Sequence, residues 1–368
     1  MRRRNSLVLV FFLVLTRWLV AAGSQPGRSS ASATDSGAQS NPTQPAGQSE
    51  PGRNSEAGGS APAAKITTHP AEADSGSQSA DSGDSSVFVF RKQVEEVVLH
   101  ATVIDNKQHI VTNLEKSSFR VFEDGHPQTI TSFRHEDIPV AMCIVIDNSG
   151  SMREKRAKVN AAALNLVRSS NPSDEVCVVN FNDEYYLDQD FTSNINKLKQ
   201  GLEKIDSRGG TALYDAVVAS AVHLKENSKL EKRVIFVVTD GDDNESSETL
   251  EQAVRHLQAE NGPTVYAIGI LEGEDHARHA KRALQVMCER TGGMSFLPRT
   301  LDEVDDISRT VAHDIRTQYT IGYKPTTPKT QGGYREVKVE AKSPDHSKLT
   351  VRTKSGYYAG AGAAAGAQ

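Results

Sequence analysis

Cysteine is scarce in this chain of 368 residues, which contains only Cys143, Cys177 and Cys288. Three cysteines are too few for a fold that depends on a framework of disulfides. Cys143 and Cys177 both fall inside apolar runs typical of buried strands, where a thiol packs as a small apolar group. We therefore expect buried free thiols, with a Cys143–Cys177 disulfide as the alternative if the chain reaches an oxidising compartment.

Clusters of basic residues are also lacking. The net charge is −5, and no block or stripe of Lys and Arg stands out in the globular part of the chain. Proteins that bind nucleic acid usually carry such a basic patch, because it neutralises phosphates. The composition therefore argues against nucleic acid as a partner.

Recognisable catalytic motifs are absent from the sequence as well. It contains neither a Gly-Xaa-Ser-Xaa-Gly elbow nor a His-Glu-Xaa-Xaa-His zinc motif. In Asp147-Asn148-Ser149, a serine stands where a phosphatase-type Asp-Xaa-Asp motif has its second acid. Hydrolysis at a metal also needs a positioned base, and no histidine lies near this segment. We predict that the protein is not an enzyme, with a metal-dependent hydrolase as a remote alternative.

The N-terminus has the three-part layout of a secretory signal. Arg2-Arg3-Arg4 precedes the apolar stretch from Leu7 to Leu15, and Val20-Ala21-Ala22-Gly23 supplies small residues suited to cleavage. We predict a signal peptide over residues 1–23 and export to a periplasm, the cell surface or the medium. Arg17 argues against an uncleaved membrane anchor. After signal removal we expect no stable membrane span.

Two low-complexity segments flank the globular part. Residues 24–86 are dominated by Ser, Gly, Ala, Pro and Gln, and Ile66 is their only aliphatic residue larger than alanine. Such a segment cannot bury enough apolar surface to offset its ordering entropy. We predict a disordered linker there and a disordered Gly/Ala tail over residues 359–368.

The remaining residues form three sections. Residues 87–138 and 317–358 contain short strand patterns, and neither section has enough strands for a stable sheet of its own. Residues 139–316 instead alternate apolar strands with helical patterns, such as Val140–Ile146 followed by a predicted helix from Met152 to Ser170. This alternation predicts an α/β fold with a doubly wound, mostly parallel sheet. We expect the two β sections to pair into a small β-sandwich-like domain into which the α/β domain is inserted.

A hairpin is predicted inside the first β section. The strand-like segments Phe119–Phe122 and Thr129–Phe133 flank Asp124-Gly125, a dipeptide typical of tight hairpin turns. We therefore expect these two segments to pair with each other across that turn.

Five oxygen-bearing side chains lie close to the ends of predicted parallel strands or in a glycine-rich loop. They are Asp147, Ser149, Ser151, Thr211 and Asp240. In open parallel sheets, ligands gather at the carboxyl ends of the strands. Oxygen ligands suit a hard divalent cation, for which we expect Mg²⁺, while Mn²⁺ and Ca²⁺ also accept such ligands. The alternative is that Asp147, Ser149 and Ser151 only cap the following helix.

Three segments resemble the von Willebrand factor type A domain over about residues 138–315. They are Asp147-Xaa-Ser149-Xaa-Ser151, Gly210-Thr211-Ala212-Leu213-Tyr214-Asp215 and Val238-Thr239-Asp240-Gly241. The flanking segments Phe119–Gly125 and Tyr319–Tyr323 look like those of exported bacterial proteins of this kind, common in acidobacteria. The resemblance implies a Rossmann-like fold with a metal-ion-dependent adhesion site.

The resemblance also implies a role for each of the five residues. Ser149, Ser151 and Thr211 would be hydroxyl ligands, and Asp147 and Asp240 would act directly or through water. One coordination position would remain for an Asp or Glu side chain of a protein partner. We therefore expect an exported, non-catalytic protein-binding module. The alternative is a structural or assembly subunit of a cell-envelope complex in which the metal is mainly stabilising.

Overall fold

The computed structural model describes residues 96–204, 207–271 and 275–360. The predicted signal peptide, the predicted linker, the start of the first β section and most of the predicted tail lie outside these residues. Every helix within the described ranges is too short or too polar to span a lipid bilayer.

The described residues form fourteen strands and six α-helices. The strands are β1 (Val97–Asp105), β2 (Phe119–Glu123), β3 (His126–Gln128), β4 (Ile130–Arg134), β5 (Val140–Asp147), β6 (Glu175–Phe181), β7 (Tyr185–Thr192), β8 (Lys232–Thr239), β9 (Thr264–Gly269), β10 (Ser295–Phe296), β11 (Tyr319–Tyr323), β12 (Tyr334–Ala341), β13 (Leu349–Arg352) and β14 (Gly356–Tyr358). The helices are α1 (Arg156–Arg168), α2 (Ile195–Leu202), α3 (Leu213–Asn227), α4 (Leu250–Leu257), α5 (Asp275–Thr291) and α6 (Glu303–Arg316).

The α/β section contains one six-stranded sheet in the order β10-β9-β8-β5-β6-β7. Its neighbouring strands run parallel except β7, which pairs antiparallel with β6 at one edge. Every residue of β5 is buried, because the sheet has an apolar cluster on each face. Helices α1, α2 and α6 contribute to one cluster, and α3, α4 and α5 to the other. The predicted doubly wound, mostly parallel α/β fold is confirmed.

The two flanking sections form a sandwich of two four-stranded sheets, in the orders β13-β1-β11-β4 and β14-β12-β2-β3. Each sheet combines strands from before and after the α/β section, so the α/β section is inserted into the sandwich. The facing sheets share one apolar core that includes Leu99, Val121 and Tyr319. Ala359, predicted as the first residue of the disordered tail, is also buried in this core.

The hairpin at Asp124-Gly125 has a different second strand from the one predicted. Both turn residues, Asp124 and Gly125, have positive φ angles, 50° and 79°. The strand that pairs with β2 across this turn is β3. The predicted partner Thr129–Phe133 instead crosses to the other sheet as part of β4, which pairs with β11. The sequence pattern does not show whether β3 or β4 pairs with β2, because β2 and β4 both pack apolar side chains into the same core. The rings of Phe119 and Phe133 are 5.3 Å apart.

The sequence pattern also misplaced the start of the first helix, and it missed one strand and one helix of the α/β section. A 3₁₀ turn at Gly150–Met152 precedes α1, which begins at Arg156 instead of Met152. Strand β7 and helix α2 were not predicted. Because β7 is an edge strand with no fully buried residue, it lacks the continuous apolar run that marks the central strands.

The prediction of free thiols at Cys143 and Cys177 is wrong, since the two residues form a disulfide. They are direct partners in the parallel register of β5 and β6, with Cα atoms 4.7 Å apart. The apolar runs indicated that each thiol is buried, but they did not indicate that the two strands are neighbours. Cys288 is a buried free cysteine, and burial raises the pKa of its thiol.

We expect the unfolded protein, purified without reductant, to contain one titratable thiol, because only Cys288 is free among the three cysteines. Reduction before unfolding should raise the number to three, the full count in the sequence. Titration with a thiol-reactive dye in denaturant measures both values. Cys177→Ser should add one thiol to the unreduced count, since it releases Cys143. Three thiols in the unreduced wild type would contradict the disulfide.

Candidate metal centre

Asp147, the last residue of β5, is fully buried and hydrogen-bonded through both carboxylate oxygens. Its Oδ1 accepts from the backbone N–H of Ser149 at 2.7 Å, and its Oδ2 accepts from the hydroxyl of Thr239 at 2.6 Å. Burial raises the pKa of Asp147, although the bonds from Thr239 and Ser149 oppose the shift and the nearby Asp240 adds to it. The two bonds therefore compensate only part of the cost of burying this carboxylate.

Ser149 and Ser151 lie in the turn that follows β5, with their Oγ atoms 3.2 Å apart. The hydroxyl of Ser151 donates to Oδ1 of Asp240 at 2.8 Å. Neither serine caps a helix: Ser149 makes no side-chain cap bond to the 3₁₀ turn, and α1 begins after Lys155. The alternative in which these residues serve only as a helix cap is therefore wrong.

Thr211 lies in the loop before α3, at the same edge of the sheet. Gly209 has a φ of +67°, and a Cβ there would lie 2.1 Å from the carboxylate of Asp183, so only glycine fits. The backbone N–H of Thr211 donates to Oδ1 of Asn244 at 2.8 Å, which ties this loop to the one after β8. A Cβ built on Gly241 would lie 3.5 Å from the Thr211 hydroxyl oxygen. The hydroxyl therefore lies beside the Asp240-Gly241 turn.

Asp240 follows β8, and its side chain is completely buried. One carboxylate oxygen accepts from Ser151, and the other lies 2.8 Å from the ammonium nitrogen of Lys155. Lys155 is itself 14% exposed at its side chain, so this ion pair is largely shielded from water. Lys155 was not among the predicted site residues, because a lysine near the start of a helix usually faces solvent.

Two further side chains support the strand ends. Thr239 donates to Asp147 and accepts from the N–H of Gly241 at 3.2 Å, so its hydroxyl joins the ends of β5 and β8. Arg156, also buried, donates to the carbonyl oxygen of Asp147 at 3.3 Å and to Oδ1 of Asn180 at 2.8 Å. Burial lowers the pKa of Arg156 to about 10, which still leaves it charged at neutral pH.

The structure thus brings the five predicted residues to one edge of the sheet. Ser149, Ser151 and Asp240 form a continuous chain of contacts, while Asp147 is linked to them through Thr239 and the Ser149 N–H. The hydroxyl of Thr211 lies beside Gly241, the residue that follows Asp240.

The donor set and its spacing fit a small divalent cation. Neighbouring ligands of an octahedral Mg²⁺ lie about 2.9 Å apart, given metal–oxygen distances of about 2.1 Å. The observed Ser149–Ser151 and Ser151–Asp240 oxygen separations of 3.2 and 2.8 Å bracket that value. No group of three or more Asp, Glu, His or Cys side chains within the described ranges could hold a metal. A cation at this edge would therefore depend on the hydroxyl groups.

Thr239→Val should lower the free energy of unfolding by about 1–3 kcal/mol, because it keeps the shape of the side chain but leaves Oδ2 of the buried Asp147 carboxylate without its donor. Urea denaturation in the presence of a chelator measures the change without a metal contribution. Thr239→Ser is the matched control, since it retains the hydroxyl and should lose less stability. Equal stabilities of the two variants would show that the bond to Asp147 contributes nothing.

Comparison with known proteins gives one family match, which falls within the α/β section. Residues 142–242 match the family model of the von Willebrand factor type A domain. No curated protein gives a significant match. Similar solved structures include a von Willebrand factor type A protein from Catenulispora acidiphila, 13% identical over 73% of this chain and 74% of that one, with a TM-score of 0.40.

Two pilus proteins are also similar. The von Willebrand domain of the type V pili tip protein Mfa5 from Porphyromonas gingivalis is 14% identical over 49% of this chain and 97% of its own, with a TM-score of 0.40. The PilB minor pilin from Streptococcus sanguinis is 12% identical over 52% of this chain, with a TM-score of 0.42, and the match spans 64% of that pilin. On the family match, residues 142–242 of the present chain belong to a von Willebrand factor type A domain.

Proposed function

We propose that the protein is an exported, non-catalytic module that binds a protein partner through a divalent metal ion, most favourably Mg²⁺. The observation that carries this proposal is the convergence of Asp147, Ser149, Ser151, Thr211 and Asp240 on one edge of the sheet. Their oxygens come from three separate loops, and the spacing between neighbouring oxygens suits a small cation.

Charge balance favours an acidic group on the partner. Three of the five side chains are neutral hydroxyls, and Asp240 is already paired with Lys155, so of the two carboxylates only Asp147 is left to offset the charge of the cation. When bound, the cation would supply a positive charge with a coordination position open to an anionic oxygen. An Asp or Glu side chain of a partner protein offers such an oxygen and could displace a water from Mg²⁺, which usually keeps several.

Recognition is favoured over a mainly stabilising role because the loops are already held by the protein itself. The N–H of Asn148 donates to the carbonyl of Phe181 at 2.6 Å, and the N–H of Ala212 donates to that of Asn182 at 2.6 Å. Asp240 already has Lys155 as its counter-ion. A structural or assembly subunit whose fold needs the metal therefore has less support.

A binding role also fits the engagement of both carboxylates of the site. Asp147 accepts two hydrogen bonds and Asp240 is engaged by Ser151 and Lys155. Among the described residues, no histidine hydrogen-bonds to any of the five side chains. A metal-dependent hydrolase would need a base that can accept a proton from water, and neither of these two carboxylates is free for that role.

Export is supported by the N-terminal signal pattern and by the Cys143–Cys177 disulfide, since disulfides persist mainly in oxidising compartments. A protein-binding module in a periplasm, at the cell surface or in the medium would meet partners that are themselves exported. Adhesion and envelope assembly are the two settings in which such a module would act.

We expect wild-type protein to bind one Mg²⁺, and Asp147→Ala to weaken binding by about tenfold or more, equivalent to at least about 1.4 kcal/mol. Lys155→Gln should strengthen binding, because it removes a positive charge 2.8 Å from an Asp240 oxygen. Isothermal titration calorimetry measures both changes, and Mn²⁺ with electron paramagnetic resonance gives an independent readout of occupancy.

Lys158→Gln is the matched control for Lys155, since Lys158 pairs with the exposed Asp302 and should leave metal affinity unchanged.

Metal-free protein should keep its near-ultraviolet circular dichroism and a cooperative melting transition. Loss of both on chelation would favour the stabilising metal instead. Equal Mg²⁺ affinity of wild type and Asp147→Ala would refute the site. The partner is then sought among exported proteins retained by wild type in Mg²⁺, released by chelator and not retained by Asp147→Ala.

A further inference from the structure

A second surface on the α/β domain has the properties of a binding site that needs no metal. In the described part of the chain, only six large apolar side chains are substantially exposed, and four of them lie on β7 and α3. Tyr185 is 51% exposed, Tyr186 43%, Leu187 47% and Val222 39%. Scattered exposed apolar residues are ordinary, whereas a concentration of this kind marks an interaction surface.

Three of these four residues, all except Tyr186, border a groove of about 540 Å³ between β7 and α3. Tyr185 and Leu187 line it from the strand, and Val218 and Val222 line it from the helix. Because Tyr185 and Leu187 are two positions apart, they point to the same face of the sheet. The groove is large enough to take the side chains of a bound peptide.

The strand that forms one wall is also the free edge of the sheet. β7 ends the strand order, so it has a hydrogen-bonded neighbour only on the β6 side. Edge strands are commonly protected by Lys or Pro, and the segment Tyr185–Thr192 contains neither. Apart from the carbonyls of Asp188 and Asp190, which already accept side-chain hydrogen bonds, its outer backbone groups can therefore pair with an extended segment of another protein, the arrangement known as β-augmentation.

The charge of the groove indicates which side chains the bound segment would carry. Its lining includes Asp215, Glu226 and Glu248 but no Lys or Arg. His223 also lines the groove and lies 2.8 Å from Asp190 of β7. An acidic lining around apolar walls is complementary to a segment that combines apolar side chains with Lys or Arg.

Two occupants from this chain fit poorly. Residues 24–86 contain seven acidic residues against three basic ones and almost no large apolar residue, so they match neither the charge nor the walls. A second copy that docked groove to groove would place acidic residues opposite one another, which costs free energy.

The strand that forms one wall of the groove is connected to the candidate metal centre by hydrogen bonds. The turn between β6 and β7 is bonded to the loop that carries Thr211: the N–H of Gly210 donates to Oδ1 of Asp183 at 2.5 Å, and that of Ala212 donates to the carbonyl of Asn182 at 2.6 Å. A partner that reached the metal centre could therefore extend over the groove.

We propose that the groove binds an extended segment of a partner protein with apolar side chains at alternate positions and Lys or Arg beside them. This binding does not rest on the metal site.

The test is selection of displayed random peptides on the full chain in the presence of a chelator, with counter-selection on Leu187→Asp. Enriched peptides should be positively charged, with apolar residues at alternate positions. The affinity of a synthetic consensus peptide should fall by roughly tenfold or more in Leu187→Asp and in Val222→Asp, as for contacts at the centre of an interface. It should also fall as salt is raised, because charges contribute to the attraction.

Leu297→Asp is the matched control, since Leu297 is similarly exposed but lies outside the groove, and it should leave affinity unchanged. Asp147→Ala should also leave it unchanged, which separates this proposal from the metal-dependent function. Val222→Asp, on a helix surface, keeps the test valid if the strand variant fails to fold. Enrichment of acidic or uncharged peptides, no enrichment, or equal affinity for the groove variants would overturn the proposal. So would self-association in sedimentation velocity that Val222→Asp abolishes, because the occupant would then be a second copy.

Discussion

The parallel pairing of β5 with β8 is the constraint on which the candidate site depends. Ile146 pairs with Val238 in this register, so Asp147 and Thr239 leave the sheet side by side and form a hydrogen bond of 2.6 Å. Asp240 follows one residue later. A slip of one residue would reverse which face each side chain occupies, and the apolar clusters on both faces prevent it. The core that stabilises the sheet therefore also sets the positions of the oxygen ligands.

Much of this arrangement could be predicted because it is local in sequence. The apolar run ending at Asp147 predicts a buried strand, and the polar residues after it predict a site at the strand end. Features that depend on which strands become neighbours could not be predicted in the same way. The pairing of Cys143 with Cys177 needs β5 beside β6, and the partner of β2 depends on where the chain crosses between sheets. The role of Lys155 likewise depends on a tertiary contact, because its ammonium pairs with Asp240, 85 residues away in the sequence.

The two buried carboxylates of the candidate site are compensated by groups of the protein itself. Buried carboxylates are costly unless they are paired or hydrogen-bonded, and both here have such partners within the protein. Binding a cation would then exchange one set of contacts for another. The affinity for the cation would then depend on the difference in free energy between the contacts made without it and the contacts made with it. A nearby residue such as Lys155 contributes to the first set, so replacing it would change the affinity over a wide range without altering the fold.

The inserted position of the α/β domain has a consequence for how the chain folds. The sandwich core requires contacts such as that between Tyr323 and Glu123, which are 200 residues apart. Bringing such distant segments together costs conformational entropy that rises with the length of the intervening loop. A folded α/β domain holds the two connecting ends at fixed positions and so shortens the effective loop. We therefore infer an order of assembly in which the sheet of the α/β domain forms first and the sandwich closes around its ends.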